Sequence, residues 1–228
     1  MNISVIIPAF NEESAIGKVI AEIPRHFVNE IIVVNNNSTD NTQKEAAAAG
    51  ATVLNESRQG YGASCLTAIE YLKGKDTDIV VFLDGDYSDF PSEMDRLLNP
   101  IINEEYDFVL GSRILGSREP GSLPFHSIFG NVLSGLLINF FWRVKYTDLG
   151  PFRAIRFNKL LELEMEDPWY GWTVEMQIKA VKHELKIKEV PVSYRKRIGK
   201  SKVTGTVKGS FMAGVMILKT IFAQLFKD

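Results

Sequence analysis

The alternation of hydrophobic and polar positions in the first half of the chain is typical of an α/β fold. Short apolar runs rich in β-branched residues alternate with segments of helical periodicity, which predicts repeated βα units on a parallel sheet. Strands are predicted over residues 3–7, 30–35, 51–54, 78–84 and 108–110, and helices over residues 12–23, 41–49, 63–72 and 92–102. Right-handed crossovers would produce a mostly parallel, doubly wound sheet with the strand 78–84 at its centre. Asn11 is predicted to cap the first helix.

The pattern changes after residue 111. A long loop over residues 114–124 contains glycines and prolines and could fold over a ligand. Further helices are predicted over residues 127–144, 172–182 and 206–226, and further strands over residues 152–155 and 187–194. Because no internal repeat or low-complexity linker interrupts the chain, residues 1–228 are predicted to form one domain.

The composition excludes several classes of protein. The chain has 228 residues and a formal net charge of −2, which argues against a dedicated nucleic-acid-binding protein. Cys65 is the only cysteine, so an internal disulfide is excluded, and the first residues predict a strand rather than a signal peptide. The apolar stretches are too short or too interrupted to span a membrane. We therefore expect a cytoplasmic protein.

The last part of the chain is strongly basic. Residues 190–227 contain no acidic residue, and their basic residues are Arg195, Lys196, Arg197, Lys200, Lys202, Lys208, Lys219 and Lys227. Such a segment suits phosphate groups or an anionic membrane surface.

Polar residues cluster at the carboxyl ends of four predicted strands, where open α/β sheets bind ligands. These clusters cover residues 8–12, 35–40, 84–86 and 111–113. In the third cluster Asp84 and Asp86 follow a buried strand, and two carboxylates at this spacing can hold Mg²⁺ or Mn²⁺ through oxygen ligands. The competing interpretation is that both aspartates only cap the next helix or turn. Their position among three other polar strand ends favours the metal site.

Several ordered motifs resemble family-2 glycosyltransferases of the GT-A fold. These motifs cover residues 5–13, 33–40, 82–86 and 111–113. Two later motifs, at residues 148–154 and 197–202, resemble the branch of dolichol-phosphate mannosyltransferases and polyprenyl-phosphate glucosyltransferases. The resemblance covers nearly the whole chain and implies a Rossmann-like GT-A domain. In that domain residues 1–112 would bind a nucleotide sugar, and residues 113–228 would form the acceptor side.

The resemblance also implies the residues of the donor site. The nucleotide pocket would be lined by Pro8, Ala9, Phe10, Glu12, Asn36 and Asp84. Asp86, with Asp84, would bind the metal that bridges the diphosphate. Asn36 stands where the family usually has an aspartate that accepts a hydrogen bond from the base, and an asparagine can still accept one. Ser88 stands where the mannosyl enzymes often carry a metal-binding glutamine, so water or Asp89 could take that place.

The loop over residues 58–63 precedes a helix, so its backbone amides could face a phosphate. Gly62 is the candidate in this loop. The competing interpretation is a tight turn before a helix, because the loop lacks the lysine and hydroxyl residue that end a P-loop.

A phosphate acceptor and a hydroxyl acceptor need different side chains. A phosphate monoester is already anionic near neutral pH and needs cations to hold it, whereas a hydroxyl needs a general base. The resemblance assigns the binding of acceptor or donor phosphate to Arg113, Arg153, Arg197, Lys200, Ser201 and Lys202. Asp86 and Arg113 are then candidate catalytic residues. Glu175 is the leading base for a hydroxyl, although it could equally be a structural carboxylate paired with an arginine.

Two segments, residues 129–142 and 203–226, are apolar on more than one face. In the resembled branch such helices lie on the membrane and present a lipid-linked acceptor, so peripheral contact at the cytoplasmic face is expected. Formation of a homodimer and simple core packing are the competing interpretations.

The sequence thus predicts a metal-dependent, inverting hexosyltransferase that uses a UDP- or GDP-sugar and a polyprenyl or dolichyl phosphate. One alternative is transfer to a hydroxyl of a glycan or glycolipid in cell-surface polysaccharide synthesis. Another is a sugar-phosphate nucleotidyltransferase, but that class needs a glycine-rich basic loop after the first strand, which residues 8–12 do not provide. The third is a non-catalytic nucleotide-sugar-binding protein.

Overall fold

The computed structural model describes residues 1–199 and 207–227 of the chain. Within these residues the strands are β1 (Ile3–Ala9), β2 (Glu30–Asn35), β3 (Thr52–Asn55), β4 (Ile79–Phe82), β5 (Phe108–Ser112), β6 (Arg153–Arg156) and β7 (Ile187–Pro191). The helices are α1 (Ile16–Glu22), α2 (Thr42–Ala48), α3 (Tyr61–Leu72), α4 (Met94–Asn103), α5 (Phe125–Trp142), α6 (Phe157–Glu162), α7 (Trp172–Lys182) and α8 (Val207–Gln224). A 3₁₀ turn, Pro91–Glu93, leads into α4.

The strands form one sheet in the order β3-β2-β1-β4-β6-β5-β7. Neighbouring strands are parallel except for β6, which is antiparallel to both β4 and β5. The carboxyl ends of β1, β2 and β4 therefore lie side by side at one edge of the sheet, and each carries one of the polar clusters. This arrangement confirms the mostly parallel α/β sheet.

Both faces of the sheet are covered by apolar packing, as a parallel sheet requires. Side chains alternate along each strand, so Ile6 and Phe82 belong to one core cluster. Their neighbours Val5 and Val81 belong to the cluster on the opposite face. The continuous apolar run in β4 is explained by this double burial, because the residues of the strand are completely buried on either face.

The boundaries of the first helix were wrong in the sequence prediction. Helix α1 begins at Ile16, four residues later than expected, and Asn11 does not cap it. Asn11 has a positive φ of 54°. Its side-chain oxygen accepts a hydrogen bond from the Thr39 amide at 2.8 Å. The side chain of Asn11 therefore connects the loop after β1 to the loop after β2 at the carboxyl ends of these strands.

Three other elements differ from the expectation. Strand β4 ends at Phe82, so Asp84 lies in the following loop, and strand β7 ends at Pro191 instead of residue 194. Helix α6 (Phe157–Glu162) was not predicted, because six residues are too few to show a clear helical period.

Helices α5 and α8 pack against each other and leave large apolar side chains exposed. On α5 these are Phe125, Phe129, Val132, Leu133, Leu136 and Phe140. On α8 and just after it they are Met212, Val215, Phe222 and Phe226. Phe141 of α5 packs against Phe222 of α8 with ring centroids 6.1 Å apart, which joins the two helices. Among the described residues, no helix is long and apolar enough to cross a membrane.

Candidate active site

Two neighbouring cavities open at the carboxyl ends of the central strands. The first, here called the donor-side cavity, has a volume of about 310 Å³. It is lined by Pro8, Ala9, Phe10, Glu12, Asn36, Gln59, Gly60, Tyr61, Ser64, Asp84, Gly85, Asp86, Trp169, Tyr170 and Arg197. Most of the predicted donor residues are therefore brought together, and Arg197 joins them from a segment far along the sequence.

The second cavity, here called the acceptor-side cavity, has a volume of about 530 Å³ and reaches between helices α5 and α8. Tyr61, Asp84, Asp86, Tyr170 and Arg197 line both cavities. Asp84 and Asp86 thus lie where the two cavities meet, which is where a group would pass from one ligand to another.

Asp86 is buried and held in one orientation. One of its oxygens accepts hydrogen bonds from the amide and hydroxyl of Ser88, the amide at 2.9 Å. Its other oxygen lies 3.0 Å from a guanidinium nitrogen of Arg197. The same guanidinium donates to Glu12 at 3.0 Å. Arg197 therefore joins the two carboxylates across the donor-side cavity.

The carboxylates around Asp84 repel one another. Burial raises the pKa of the Asp84 carboxyl well above its ordinary value, and the charges of Asp86 and Asp89 raise it further. Burial, followed by the charge of Asp86, raises the pKa of Asp89 to about 7. One oxygen of Asp89 is buried without a hydrogen-bond partner among the described residues. A cation placed among these groups would relieve the repulsion.

The residues fit a divalent cation only with help from a ligand. In the described part of the chain, no three His, Cys, Asp or Glu side chains are arranged to hold a metal ion by themselves. Asp84 and Asp86 supply the hard oxygen donors that Mg²⁺ and Mn²⁺ prefer, and Mg²⁺ is commonly held by one or two carboxylates together with substrate phosphates and water. The site therefore suits a metal that arrives with a diphosphate.

Arg113 lines the acceptor-side cavity and is held by a buried ion pair with Asp148. Its Nε and Nη2 lie 2.7 Å from the two carboxylate oxygens, and its backbone amide donates to the same carboxylate at 2.9 Å. Burial alone would raise the pKa of Asp148, but the charge and hydrogen bonds of Arg113 outweigh it and lower that pKa. The guanidinium is therefore fixed beside the cavity in a single orientation.

Comparison with known proteins identifies the family. A family model described as glycosyl transferase family 2 matches residues 4–163. The chain belongs to glycosyl transferase family 2. It is therefore a glycosyltransferase, as the sequence motifs implied.

Relatives extend the match of this family-2 glycosyltransferase to almost its full length. It is 32% identical over 222 residues to an uncharacterized glycosyltransferase of Mycobacterium tuberculosis, covering 96% of this chain and 97% of the relative. It is 31% identical over 223 residues to a dolichyl-phosphate hexose transferase of Haloferax volcanii, covering 96% and 92% respectively. Among solved structures, glucosyl-3-phosphoglycerate synthase of Mycobacterium tuberculosis in complex with Mn²⁺, UDP and phosphoglyceric acid superposes with a TM-score of 0.77 and 23% identity. That match covers 100% of this chain and 79% of the synthase, and it confirms the GT-A fold.

Arg153 lines neither cavity of the glycosyltransferase, so its position does not support the predicted role in phosphate binding. It is 1% exposed, and its guanidinium donates to the carbonyl oxygens of Gly150 and Thr173, the latter at 3.1 Å. Strand β6, which carries it, lies inside the sheet, so a side chain on either face of this strand enters the core. Arg153 ties the loop before β6 to helix α7.

The contacts of Glu175 favour the structural interpretation, and its predicted role as a base is not supported by its position. It is 1% exposed and lies outside both cavities. Its carboxylate accepts hydrogen bonds from the amides of Glu166 and Asp167, and it pairs with Lys179 at 3.0 Å. The partner is thus a lysine one helical turn away, rather than an arginine.

Glu175→Gln is expected to lower stability while leaving turnover within a few-fold of wild type. Glutamine keeps one acceptor but loses the charge that pairs with Lys179, which should cost on the order of 1–3 kcal/mol of unfolding free energy. Thermal unfolding and turnover measured below the melting temperature would check this. The control is Glu70→Gln, whose carboxylate is 72% exposed, and which should change neither quantity. Near-total loss of turnover in a stable Glu175→Gln protein would instead restore Glu175 as a base.

Asn36 lies in the wall of the donor-side cavity, but its hydrogen bonds are directed to the protein. Its amide nitrogen donates to the carbonyl oxygens of Glu56 at 3.0 Å and Arg58 at 2.7 Å, and its oxygen accepts from the Gly60 amide at 2.8 Å. Both amide hydrogens are therefore used to hold the loop over residues 56–60. An aspartate could not make these two donations, which gives a structural reason for asparagine at this position.

Gly62 lines neither cavity, so its position does not support the prediction that its amide binds phosphate. Its amide donates to the Trp169 carbonyl oxygen at 3.2 Å, and the amide of Ala63 donates to the Pro168 carbonyl oxygen at 2.8 Å. A Cβ atom on Gly62 would lie 1.9 Å from the carbonyl oxygen of Asp167. Glycine is required here because the segment over residues 167–169 packs directly on the start of α3.

Three of the predicted phosphate-binding residues cannot be compared with the structure. Lys200, Ser201 and Lys202 lie outside the described residues.

The sequence prediction missed several residues that line the cavities, chiefly Tyr61, Tyr170, Tyr194 and Asn131. No local pattern distinguishes these tyrosines from core aromatics, since contacts between distant segments decide which of them face the cavity.

Proposed function

We propose that this glycosyltransferase moves a hexose from a nucleotide diphosphate sugar, bound with Mg²⁺ or Mn²⁺ at Asp84 and Asp86, to a polyprenyl phosphate. The proposal rests on a single observation: the two cavities meet at Asp84 and Asp86, which line both of them. One cavity suits the donor. The other combines cationic and apolar groups, as a lipid phosphate requires.

The donor-side cavity supports the first half of the proposal. The loops after β1 and β2 and the start of α3 enclose it, so the base and ribose would lie against Ala9 and Phe10, and the diphosphate would point towards Asp84 and Asp86. A bound metal would stabilise the negative charge that develops on the leaving nucleoside diphosphate. The solved complexes of glucosyl-3-phosphoglycerate synthase with Mn²⁺ or Mg²⁺ and UDP support a divalent cation in this fold.

The acceptor-side cavity supports a phosphate rather than a hydroxyl. Arg113, Lys196 and Arg197 line it, and among its described lining residues the carboxylates are those of Asp84 and Asp86. With these two assigned to the metal, a hydroxyl acceptor would lack a general base, whereas a phosphate oxygen needs none. That oxygen would attack the anomeric carbon as the bond from this carbon to the donor phosphate breaks, with inversion expected.

The wall between α5 and α8 supports a lipid on the phosphate. Leu123, Leu149 and Ile217 give this cavity an apolar side, and the exposed aromatic and aliphatic residues of both helices continue that surface outward. We propose that these helices contact the cytoplasmic face of the membrane peripherally. The names of two relatives agree with such an acceptor: the dolichyl-phosphate hexose transferase, and a UDP-N-acetylglucosamine–dolichyl-phosphate N-acetylglucosaminyltransferase of Methanococcus voltae that is 28% identical.

The test is a transfer assay across UDP- and GDP-hexoses, with Mn²⁺, Mg²⁺ or a chelator, and with two matched acceptors. A short polyprenyl phosphate is compared with the corresponding polyprenyl alcohol, which differs only in the phosphate. We expect metal-dependent transfer to the phosphate and none to the alcohol. Transfer to glycan hydroxyls but not to the phosphate would overturn the acceptor. Absence of nucleotide-sugar binding with Mn²⁺ present would overturn the donor as well.

A further inference from the structure

We propose that Arg195 is the positioning residue for the turn over residues 86–89, so that the metal affinity of Asp86 depends on a side chain that lines neither cavity. The inference rests on the proposed function of Asp86 as a metal ligand. In the sequence, Arg195 is one of the basic residues of the segment 190–227. Its contacts give it a more specific role.

Arg195 binds three successive carbonyl oxygens of this turn. Its Nε donates to Tyr87 at 2.6 Å, its backbone amide donates to Ser88 at 3.0 Å, and its Nη2 donates to Asp89 at 3.1 Å. The amide of Ile198 donates to the Asp86 carbonyl oxygen at 2.9 Å. The segment after β7 therefore satisfies the carbonyl of every residue from 86 to 89.

The turn needs such support because Tyr87 has a positive φ of 69°. A left-handed conformation is unfavourable for a bulky residue and persists only where its surroundings hold it. The guanidinium carbon of Arg195 lies 3.3 Å from the centre of the Tyr87 ring and 4.2 Å from the centre of the Phe90 ring. The arginine therefore packs against one aromatic ring inside the turn and one directly after it.

A second anchor fixes the arginine to helix α1. Nη1 and Nη2 of Arg195 bind the two carboxylate oxygens of Glu22 at 3.1 and 2.8 Å. The hydroxyl of Tyr87 donates to the same carboxylate. Glu22, Arg195 and Tyr87 therefore form one closed network, and the turn is tied to α1 as well as to β7.

The orientation of Asp86 follows from the shape of this turn. One carboxylate oxygen of Asp86 accepts from the amide of Ser88, so the side chain is aimed by the backbone that Arg195 holds. A lysine at position 195 would keep the backbone bond to Ser88, but its single nitrogen could not reproduce both side-chain bonds, to the carbonyl oxygens of Tyr87 and Asp89. Since arginine offers five donors in a rigid plane, lysine can replace only part of this function.

The experiment measures Mn²⁺ binding to the whole chain in the presence of UDP, by the electron paramagnetic resonance signal of free Mn²⁺. Arg195→Gln is expected to raise the Mn²⁺ dissociation constant by about 10- to 100-fold, the range seen when a residue supporting a metal ligand is removed. Arg195→Lys should give an intermediate value. Glu22→Gln should weaken binding in the same direction, because it releases the anchor on α1.

Arg156 provides the matched control. It also binds backbone carbonyls, those of Ile101 at 2.6 Å and Tyr106 at 3.3 Å, but it lies far from the turn. Arg156→Gln should lower the melting temperature and leave the Mn²⁺ dissociation constant within two-fold of wild type. If Arg195→Gln does not fold, the Mn²⁺ dissociation constant of Arg195→Lys is compared with that of wild type and of Arg156→Gln instead.

The outcomes separate this inference from the proposed function. Wild-type Mn²⁺ affinity in folded Arg195→Gln or Arg195→Lys, or equal weakening in Arg156→Gln, would overturn the role of Arg195 while leaving the metal site in place. Failure of the wild-type chain to bind Mn²⁺ with UDP would overturn the proposed metal site and the inference together. Weaker Mn²⁺ binding in the Arg195 and Glu22 variants, with wild-type binding in Arg156→Gln, would support the role of Arg195.

Discussion

Asp86→Asn is expected to lower kcat/KM by at least about 100-fold while leaving the folded state intact. The loss follows from the proposed role of this carboxylate, because an amide is a poor ligand for a divalent cation and cannot balance its charge. The isosteric amide keeps an oxygen that can accept from Ser88, so the turn should retain its shape. Activity in the transfer assay and metal affinity should therefore fall together.

Stability should respond differently from activity in this variant. Asp86 contributes to the repulsion that raises the pKa of Asp84 and Asp89, and removing its charge relieves both. The substitution also removes the ion pair with Arg197, but this side chain is 27% exposed and keeps its pair with Glu12, so the loss should be on the order of 1 kcal/mol. The two effects oppose each other, so the melting temperature should change by only about 2 °C.

Asp95→Asn serves as the control for this experiment. Asp95 is exposed on helix α4, away from both cavities, and its replacement should leave activity and Mn²⁺ affinity unchanged. If Asp86→Asn keeps turnover near the wild-type value with Mn²⁺ present, Asp86 is not a metal ligand. The non-catalytic or turn-capping interpretation of the Asp84–Asp86 pair would then have to be reconsidered.

The position of this site could be predicted because it depends on local pattern and on a general rule of sheet geometry. Apolar runs such as Ile79–Phe82 predict buried strands, and polar residues directly after them must lie at the edge where parallel strands end. Asp84, Asp86, Glu12 and Phe10 all line the donor-side cavity for this reason. Motif order then added the family, which the family model confirmed over residues 4–163.

The unsupported predictions for charged residues share a physical cause, namely that a motif does not show which way a charged side chain points. Arg153 begins a strand that pairs on both sides, and this pairing, made with strands distant in the sequence, buries its side chain. Glu175 carried a readable signal, since Lys179 is four residues later and a carboxylate in the first turn is favoured by the helix dipole. Arg195 carried no such signal, because its hydrogen-bond partners lie 106 to 173 residues away in the sequence.

Asp148→Asn is expected to be the most destabilising single substitution considered for this protein. Asp148 is 3% exposed and accepts hydrogen bonds from the backbone and side chain of Arg113, from Asn131 at 2.7 Å and from the Leu149 amide at 2.8 Å. Asparagine would turn an amide donor towards a guanidinium and leave Arg113 buried without its counter-charge. Breaking a buried pair in this way costs about 3–5 kcal/mol.

The expected measurement is a fall in melting temperature on the order of 10 °C, since 1 kcal/mol corresponds to about 2–4 °C in a domain of this size. Glu162→Gln is the control. Its carboxylate is 46% exposed and pairs with Lys159 at 2.8 Å, so the loss should be small, within about 1 kcal/mol. Similar losses in the two variants would show that burial does not strengthen the dependence of Arg113 on Asp148.

The pH dependence gives this prediction a second readout. The pKa of Asp148 is lowered in the folded state, so its contribution to stability is fully present above the ordinary value of 3.8 and is lost as the pH falls below it. The difference in unfolding free energy between wild type and Asp148→Asn should therefore be constant near neutral pH and shrink below about pH 4. A difference that persists unchanged into that acidic range would mean that the carboxylate charge is not its source. The loss would then come from the altered hydrogen bonds to Asn131 and Leu149, and Arg113 would be held beside the acceptor-side cavity by geometry rather than by charge.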